Sequence, residues 1–154
     1  MVEAKSVNVL LEGHFKLSKA QEAKTEDKKA LMSKVLYAIA VGSLMYVMIY
    51  MRSDIDQAVG IVSRYMNNPE QEQYSTIKWI LTYLKGSLDM ALCNEDTNVY
   101  LDGYVDFDFV GDIDSQRSIA NQIFTLGNRA VSWVSRLQKI VSLYTTETEY
   151  VTAT

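Results

Sequence analysis

The segment LDGYVDFDFVGDID, residues 101–114, decides the fold class of the second half of this chain. Acidic residues alternate in it with large apolar ones, which is typical of a β-strand whose side chains point alternately to two faces. One predicted face is polar and the other apolar: Tyr104, Asp106 and Asp108 against Val105, Phe107 and Phe109. The apolar face predicts a strand anchored on a core. Two carboxylates on a rigid strand suit a hard divalent cation, and the alternative is a polar face that simply meets solvent.

The composition is that of an ordinary globular protein. The 154 residues are 48% apolar and 22% charged, with a net charge of −4. This length is enough for one domain or two small half-domains. An acidic chain is less expected to bind nucleic acid, because such binding usually needs a basic face. Cys93 is the single cysteine and residues 1–30 show no secretory signal, so we expect an intracellular protein, cytoplasmic or nuclear and not secreted.

Residues 31–88 show the pattern of a small three-helix bundle, preceded by a polar lead-in and linker over residues 1–30. The first predicted helix, Leu31–Tyr50, is apolar nearly all round, so we expect it to be buried on several sides. Its uncharged run over residues 35–51 is at the lower limit for crossing a bilayer, which leaves a membrane span as the less favoured alternative.

Two amphipathic helices are predicted to follow. The second begins with Ser53 as its N-cap. The third has Asn68 as its N-cap, Pro69 at its first position and its end at Gly86. Apolar residues recur at helical spacing in both: Ile55, Val59, Val62 and Met66 in the second, and Tyr74, Ile77, Ile80, Leu81 and Leu84 in the third.

Residues 89–154 change to a strand pattern and form the second predicted domain. Three strands in an antiparallel meander are expected at Val99–Val110, Ile119–Leu126 and Ala130–Val134, the last extending to Leu137. A short apolar piece, Met90–Cys93, precedes them, and Gly127–Asn128 is a predicted hairpin turn. A helix then follows, with Thr145 or Thr146 as its predicted N-cap. The expected fold class is therefore α+β, with a helical bundle followed by a meander and the start of a helix.

Several short blocks resemble, in the same order, blocks of the Pol polyproteins of copia-type (Ty1/copia) retrotransposons. The segments at 41–46 and 52–55 resemble VGSLMY and TRPDI, 14–18 resembles HFKLS, 79–86 resembles WILRYLKG, 103–112 resembles GYTDADWAGD, 131–133 resembles ISW, 137–139 resembles LQK, and 145–150 resembles TTEAEY. The resemblance runs from about Gly13 to the end of the chain.

The resemblance implies that residues 31–86 come from the thumb and connection end of a reverse transcriptase, and that a ribonuclease H domain starts near Val99. In that fold three antiparallel strands precede a helix, and carboxylates of the first strand and the helix help to bind two Mg²⁺ ions. By residue match these are Asp106 and Glu149, with Asp108 and Glu147 as secondary candidates. The implied partner is an RNA–DNA hybrid, whose RNA strand is hydrolysed, and no small-molecule substrate is implied.

The chain also departs from the family pattern. Apolar residues replace the T, A, W and A of GYTDADWAGD at Val105, Phe107, Phe109 and Val110, and the family's later aspartates do not occur within these residues. We therefore expect a Pol fragment that is related to a ribonuclease H and is catalytically incomplete.

Two alternatives remain open. The first is an active ribonuclease H that a partner chain completes, and the second is a protein-interaction module without enzymatic activity. An incomplete sheet also has a free edge, which predicts self-association through that edge.

Overall fold

The computed structural model describes residues 36–90, 100–127 and 129–153, together with residues 7, 9, 10, 17 and 18. The chain divides into two compact units, residues 1–90 and 91–154. Helices form the described part of the first unit, and a three-stranded sheet with one helix forms that of the second. The α+β class is therefore confirmed. The predicted lead-in, the Met90–Cys93 piece and the Gly127–Asn128 turn lie wholly or partly outside the described residues.

The first unit contains α1 (Tyr37–Tyr50), a single 3₁₀ turn (Ser53–Ile55), α2 (Asp56–Ser63) and α3 (Gln71–Gly86). The predicted apolar stripes of α2 and α3 meet α1 in one core, whose most completely buried members are Tyr37, Val41, Ile55, Val59, Val62, Ile77 and Ile80. Met66, the last residue of the predicted second stripe, lies beyond the end of α2 and is exposed. The Tyr37 hydroxyl donates a hydrogen bond of 2.8 Å to the Val62 carbonyl. Burial raises the pKa of Tyr37, so the hydroxyl stays protonated and the bond between α1 and α2 persists.

Two predicted helix starts are wrong. Ser53 does not cap α2, because it already belongs to the 3₁₀ turn. The third helix starts at Gln71 rather than at Pro69, with Glu70 as its N-cap. The Glu70 side chain accepts from the backbone of Gln73, and the Gln73 side chain accepts from the Glu70 N–H at 2.9 Å. This reciprocal capping box satisfies two free N–H groups, which explains the later start.

The expectation that α1 is buried on several sides is also wrong. Its buried residues are Tyr37, Val41 and Leu44, and α2 and α3 pack on that side. Large apolar side chains of the segment remain exposed elsewhere: Leu36, Ile39, Tyr46, Ile49 and Tyr50. In a helix that is apolar all round, polar and apolar residues do not alternate with the helical period, so the sequence does not show which side packs. Within the described ranges, no helix has the length and apolar character needed to cross a membrane.

A charged network joins the turn after α1 to the end of α3. Arg52 donates to both carboxylate oxygens of Asp54, at 2.9 and 2.6 Å, and the Tyr83 hydroxyl donates to the same carboxylate at 2.8 Å. Arg52 also donates to the carbonyl and hydroxyl oxygens of Ser87, just past α3. The guanidinium therefore satisfies an acceptor at the helix C-terminus, where positive charge is favoured.

The network predicts a pH dependence of stability in the first unit. The hydrogen bonds from Arg52 hold the pKa of Asp54 below its usual value of 3.8. A carboxyl whose pKa is lower in the folded state stabilises the fold above its unfolded pKa and loses that contribution as the pH falls through the folded pKa. Because Asp54 is partly exposed, we expect about 1 kcal/mol or less. Urea unfolding of the parent and Asp54→Asn, followed from pH 6 to about pH 2, should show a larger acid-dependent loss in the parent.

The second unit contains β1 (Leu101–Asp112), β2 (Arg117–Leu126), β3 (Arg129–Leu137) and α4 (Thr145–Ala153). The strands pair antiparallel in the order β1-β2-β3, so the predicted meander is confirmed. A register shift follows Asp108, where Val110 has a positive φ of 54°. A β-branched residue in this left-handed region carries strain of about 1–2 kcal/mol.

The α4 helix packs on the sheet through polar side chains. Thr148 and Thr152 are fully buried. The Gln138 amide donates to the Thr148 carbonyl at 3.0 Å and to the Thr152 hydroxyl at 2.8 Å. Gln122 of β2 donates to the Thr152 carbonyl at 2.8 Å, and the Ser118 and Thr148 hydroxyls lie 3.5 Å apart. Hydrogen bonds, rather than a continuous apolar core, therefore hold α4.

Candidate metal-binding site

The predicted alternation of β1 is confirmed up to Asp108. The residues of its polar face lie directly opposite alternate residues of β2: Tyr104 opposite Ile123, Asp106 opposite Asn121, and Asp108 opposite Ile119. Directly paired residues of antiparallel strands point to the same face. Asp106 and Asp108 therefore share one face of the sheet, and both are exposed.

The opposite, apolar face of β1 is buried only in part: Phe107 is half-buried and lies opposite the buried Ala120. Val105 is 51% exposed and Phe109 is 38% exposed. β1 lies at one edge of the three described strands, and α4, the one helix described in this unit, packs on this apolar face. Alternation shows that a strand has an apolar face but not how much of that face is covered.

Asn121 is a polar neighbour of Asp106 that the sequence did not indicate. Its side-chain oxygen is buried and has no hydrogen-bond partner among the described residues. An acceptor left unsatisfied in this way costs about 1–3 kcal/mol. The strand register alone places this oxygen on the same face as Asp106, and no motif in the sequence points to it.

The register shift after Asp108 determines which atoms surround its carboxylate. A β-carbon added to Gly111 would lie 2.7 Å from the Asp108 carboxylate and 2.9 Å from the Cδ1 atom of Ile119. Glycine at this position therefore lets the chain turn close beneath Asp108. The bulge is held by a hydrogen bond from the Val110 N–H to the Ser118 hydroxyl, at 3.3 Å.

The two glutamates lie on α4. Ser118 and Gln122, which contact this helix, alternate along β2 with Asn121 and so point to the face opposite Asp106. Glu149 is exposed on α4, and α4 packs on that opposite face. Glu147 accepts a hydrogen bond of 3.0 Å from the Leu143 N–H and so stabilises the start of the helix.

The oxygens of Asp106, Asp108 and Asn121 are of the kind that Mg²⁺ prefers. By their chemistry and their common face they are candidates for holding one hard cation. The predicted pairing of Asp106 with Glu149 stays a prediction, and α4, which carries the exposed Glu149, packs on the other face of the sheet. Across the described ranges, no three or more His, Cys, Asp or Glu residues form a group that could hold a metal ion.

Comparison with known proteins shows that this α+β chain is retroelement-derived. It is 48% identical over all 154 residues to the retrovirus-related Pol polyprotein from transposon TNT 1-94 of Nicotiana tabacum. It is 34% identical over 151 residues to the Pol polyprotein from transposon RE1 of Arabidopsis thaliana. The chain spans 12% and 10% of the length of these two proteins.

A shorter relative is matched over most of its length. The chain is 37% identical over 120 residues to the secreted RxLR effector protein 161 of Plasmopara viticola, and it spans 84% of that protein. The chain therefore belongs to the same family as this protein, and the transposon Pol polyproteins are similar to it in sequence. No family model matches the chain, and no solved structure matches it.

Proposed function

We propose that the chain is a segment of a copia-type Pol polyprotein, in which residues 31–88 derive from the end of a reverse transcriptase and residues 89–154 from the start of a ribonuclease H domain. The observation that carries the proposal is the order β1-β2-β3-α4 with Asp106 in the middle of β1 and Glu149 in the following helix. The identity of 48% over the whole chain to a Pol polyprotein supports the same origin.

Asp106 is the proposed first metal ligand, and Asp108 and Asn121 are its neighbours on the same face. A bound Mg²⁺ would activate water and stabilise the leaving oxygen of a phosphodiester. The chain's own residues would hold the ion at the polar face of the sheet. Glu149 is the proposed partner of Asp106 in the ancestral site, but the helix that carries it packs on the opposite face.

This separation leads us to propose that the chain by itself does not cleave RNA–DNA hybrids. A two-ion reaction needs carboxylates that converge on two metal ions about 3.5–4 Å apart. In this chain the strand carboxylates project from one face and α4 packs on the other. Weak hybrid binding that falls steeply with salt remains compatible with the proposal, because it needs phosphate contacts alone.

The test uses the full chain, a labelled RNA–DNA hybrid and Mg²⁺, with Asp106→Asn and Glu149→Gln as matched variants. We expect all three proteins to give the same background of uncut hybrid. Cleavage by the parent that disappears in Asp106→Asn would contradict the inactive assignment and favour a site completed by another chain. A Mg²⁺-dependent rise in the melting temperature of the parent but not of Asp106→Asn would support metal binding without activity.

A protein-interaction module is the second candidate function. The exposed apolar residues of α1 favour it, because contiguous apolar surface marks interaction sites. The Plasmopara viticola relative also favours it, since a protein little longer than the matched segment exists. For the chain itself we propose an intracellular location, in keeping with its similarity to Pol polyproteins.

A further inference from the structure

The two edges of the sheet carry opposite charge. The sheet order leaves one side of β1 and one side of β3 without a neighbouring strand among the described elements. β1 contains four aspartates and no lysine or arginine, whereas β3 contains two arginines and no acidic residue. We propose that β3 of one copy pairs with β1 of a second copy, so that the chain self-associates edge to edge in a head-to-tail manner.

The spacing of the charges supports this pairing. Arg129 and Arg136 lie opposite Leu126 and Ala120, which are six residues apart in β2 and therefore on one face. The β3 residue that the register skips, Val131, makes this possible, since an unbroken strand would place the two arginines on opposite faces.

The acidic edge carries a matching pair. Asp102 and Asp108 lie opposite Thr125 and Ile119, which are also six residues apart in β2. They therefore share a face as well, and that face is the one opposite the arginines. All four charged side chains are exposed.

One orientation brings the two pairs together. In this orientation the second copy is rotated by half a turn about an axis that lies in the plane of the sheet and is perpendicular to the strands. Its β1 then runs antiparallel to β3 of the first copy. Its aspartates also lie on the same side of the joined sheet as the arginines. Arg136 then meets Asp102 of the second copy, and Arg129 meets Asp108. Opposite charges at such cross-strand positions are stabilising.

The residues between the charged pairs are also compatible. In this register Val134 meets Tyr104 of the second copy, and Trp133 meets Val105. Val134, Tyr104 and Val105 are 39%, 56% and 51% exposed, so the pairing would cover apolar surface that the single chain leaves in water. Aromatic side chains opposite β-branched ones are favourable cross-strand pairs.

Charge also disfavours the two symmetric pairings. Two β1 edges would bring two sets of aspartates together, and two β3 edges would bring together arginines alone, and like charges across a ladder are destabilising. The contact between β3 and β1 leaves a free edge at each end of the pair. Such heterologous contacts form open chains rather than closed dimers unless a rotation closes them.

The test is sedimentation of the full chain over a range of concentrations and salt. We expect the parent to form species that grow with concentration and dissociate at about 1 M salt, where screening acts within about 3 Å. Two variants change one edge each: Asp102→Lys with Asp108→Lys, and Arg129→Glu with Arg136→Glu. In each variant the two cross-strand pairs become pairs of like charge, so we expect its association to weaken by about tenfold or more, which corresponds to losing two favourable pairs.

Mixing the two variants is the decisive measurement, because each acidic edge then meets a basic one and association should return. A matched control for the aspartate variant, Glu72→Lys with Asp89→Lys, makes the same change in net charge at exposed sites of the first unit and should associate like the parent. Far-UV circular dichroism checks that every variant remains folded. A parent that stays monomeric up to about 1 mM, or an aspartate variant that still associates alone, would overturn the proposal.

Discussion

Tyr37→Ala is expected to lower the free energy of unfolding of the first unit by about 3–5 kcal/mol, the range for removing a large buried aromatic side chain. Tyr37 is 2% exposed and packs in the core between α1 and α2. The loss is large compared with the total stability of a small domain, about 5–15 kcal/mol. Urea unfolding followed by the fluorescence of Trp79, in a Trp133→Phe background, reports on this unit, since the chain has two tryptophans and one lies in each unit.

Tyr37→Phe is the matched control, because it keeps the ring and removes the hydroxyl that bonds to the Val62 carbonyl. That carbonyl also accepts a hydrogen bond from the Tyr65 N–H, so it is not left unsatisfied. We expect a loss of about 1 kcal/mol, the net value of one hydrogen bond. An alanine variant within about 0.5 kcal/mol of the parent would contradict the core position of this residue, because that is the range of surface substitutions.

Gln138→Leu is expected to destabilise the second unit by about 2–4 kcal/mol, because it removes three side-chain hydrogen bonds at a buried position. The glutamine is 5% exposed, and its amide donates to Thr148 and Thr152 of α4. Its side-chain oxygen also accepts a hydrogen bond from Ser142 at 3.3 Å. Leucine has a similar size but can replace none of these bonds. The measurement is urea unfolding followed by Trp133 fluorescence in a Trp79→Phe background.

Gln122→Leu provides the comparison, because Gln122 makes a single hydrogen bond to α4 from a half-buried position. We expect it to cost about 1 kcal/mol. Equal effects of the two substitutions would mean that the network around Gln138 has no special role in holding α4. A larger effect at Gln122 would place the main attachment of the helix on β2 instead.

The helices could be predicted from the sequence, but two of their starts could not. Apolar spacing placed Ile77 and Ile80 on one stripe of the third helix, and both are buried. The start of that helix was misplaced because Asn68 and Pro69 are strong local signals, whereas the cap that forms uses Glu70 and Gln73. Both choices satisfy N–H groups locally, and the packing of the finished helix decides between them.

The role of Arg52 and Asp54 illustrates a further limit. The sequence placed them in a block that resembles a family motif, which says nothing of what the side chains contact. In the structure they reach Tyr83 and Ser87, about thirty residues later in the chain. Contacts between residues so far apart depend on how helices pack, and local patterns carry no information on them.

The alternation of residues 101–108 was enough to determine that Asp106 and Asp108 share a face, because side chains in a strand alternate by geometry. The ordered blocks were likewise enough to reveal the relation to Pol polyproteins. The tertiary structure alone decided that Asn121 lies beside Asp106, that α4 packs on the opposite face from both aspartates, and that acidic and basic strands form the two edges. These features depend on strand register and on hydrogen bonds between distant residues, Gln138 and Gln122 with α4 among them.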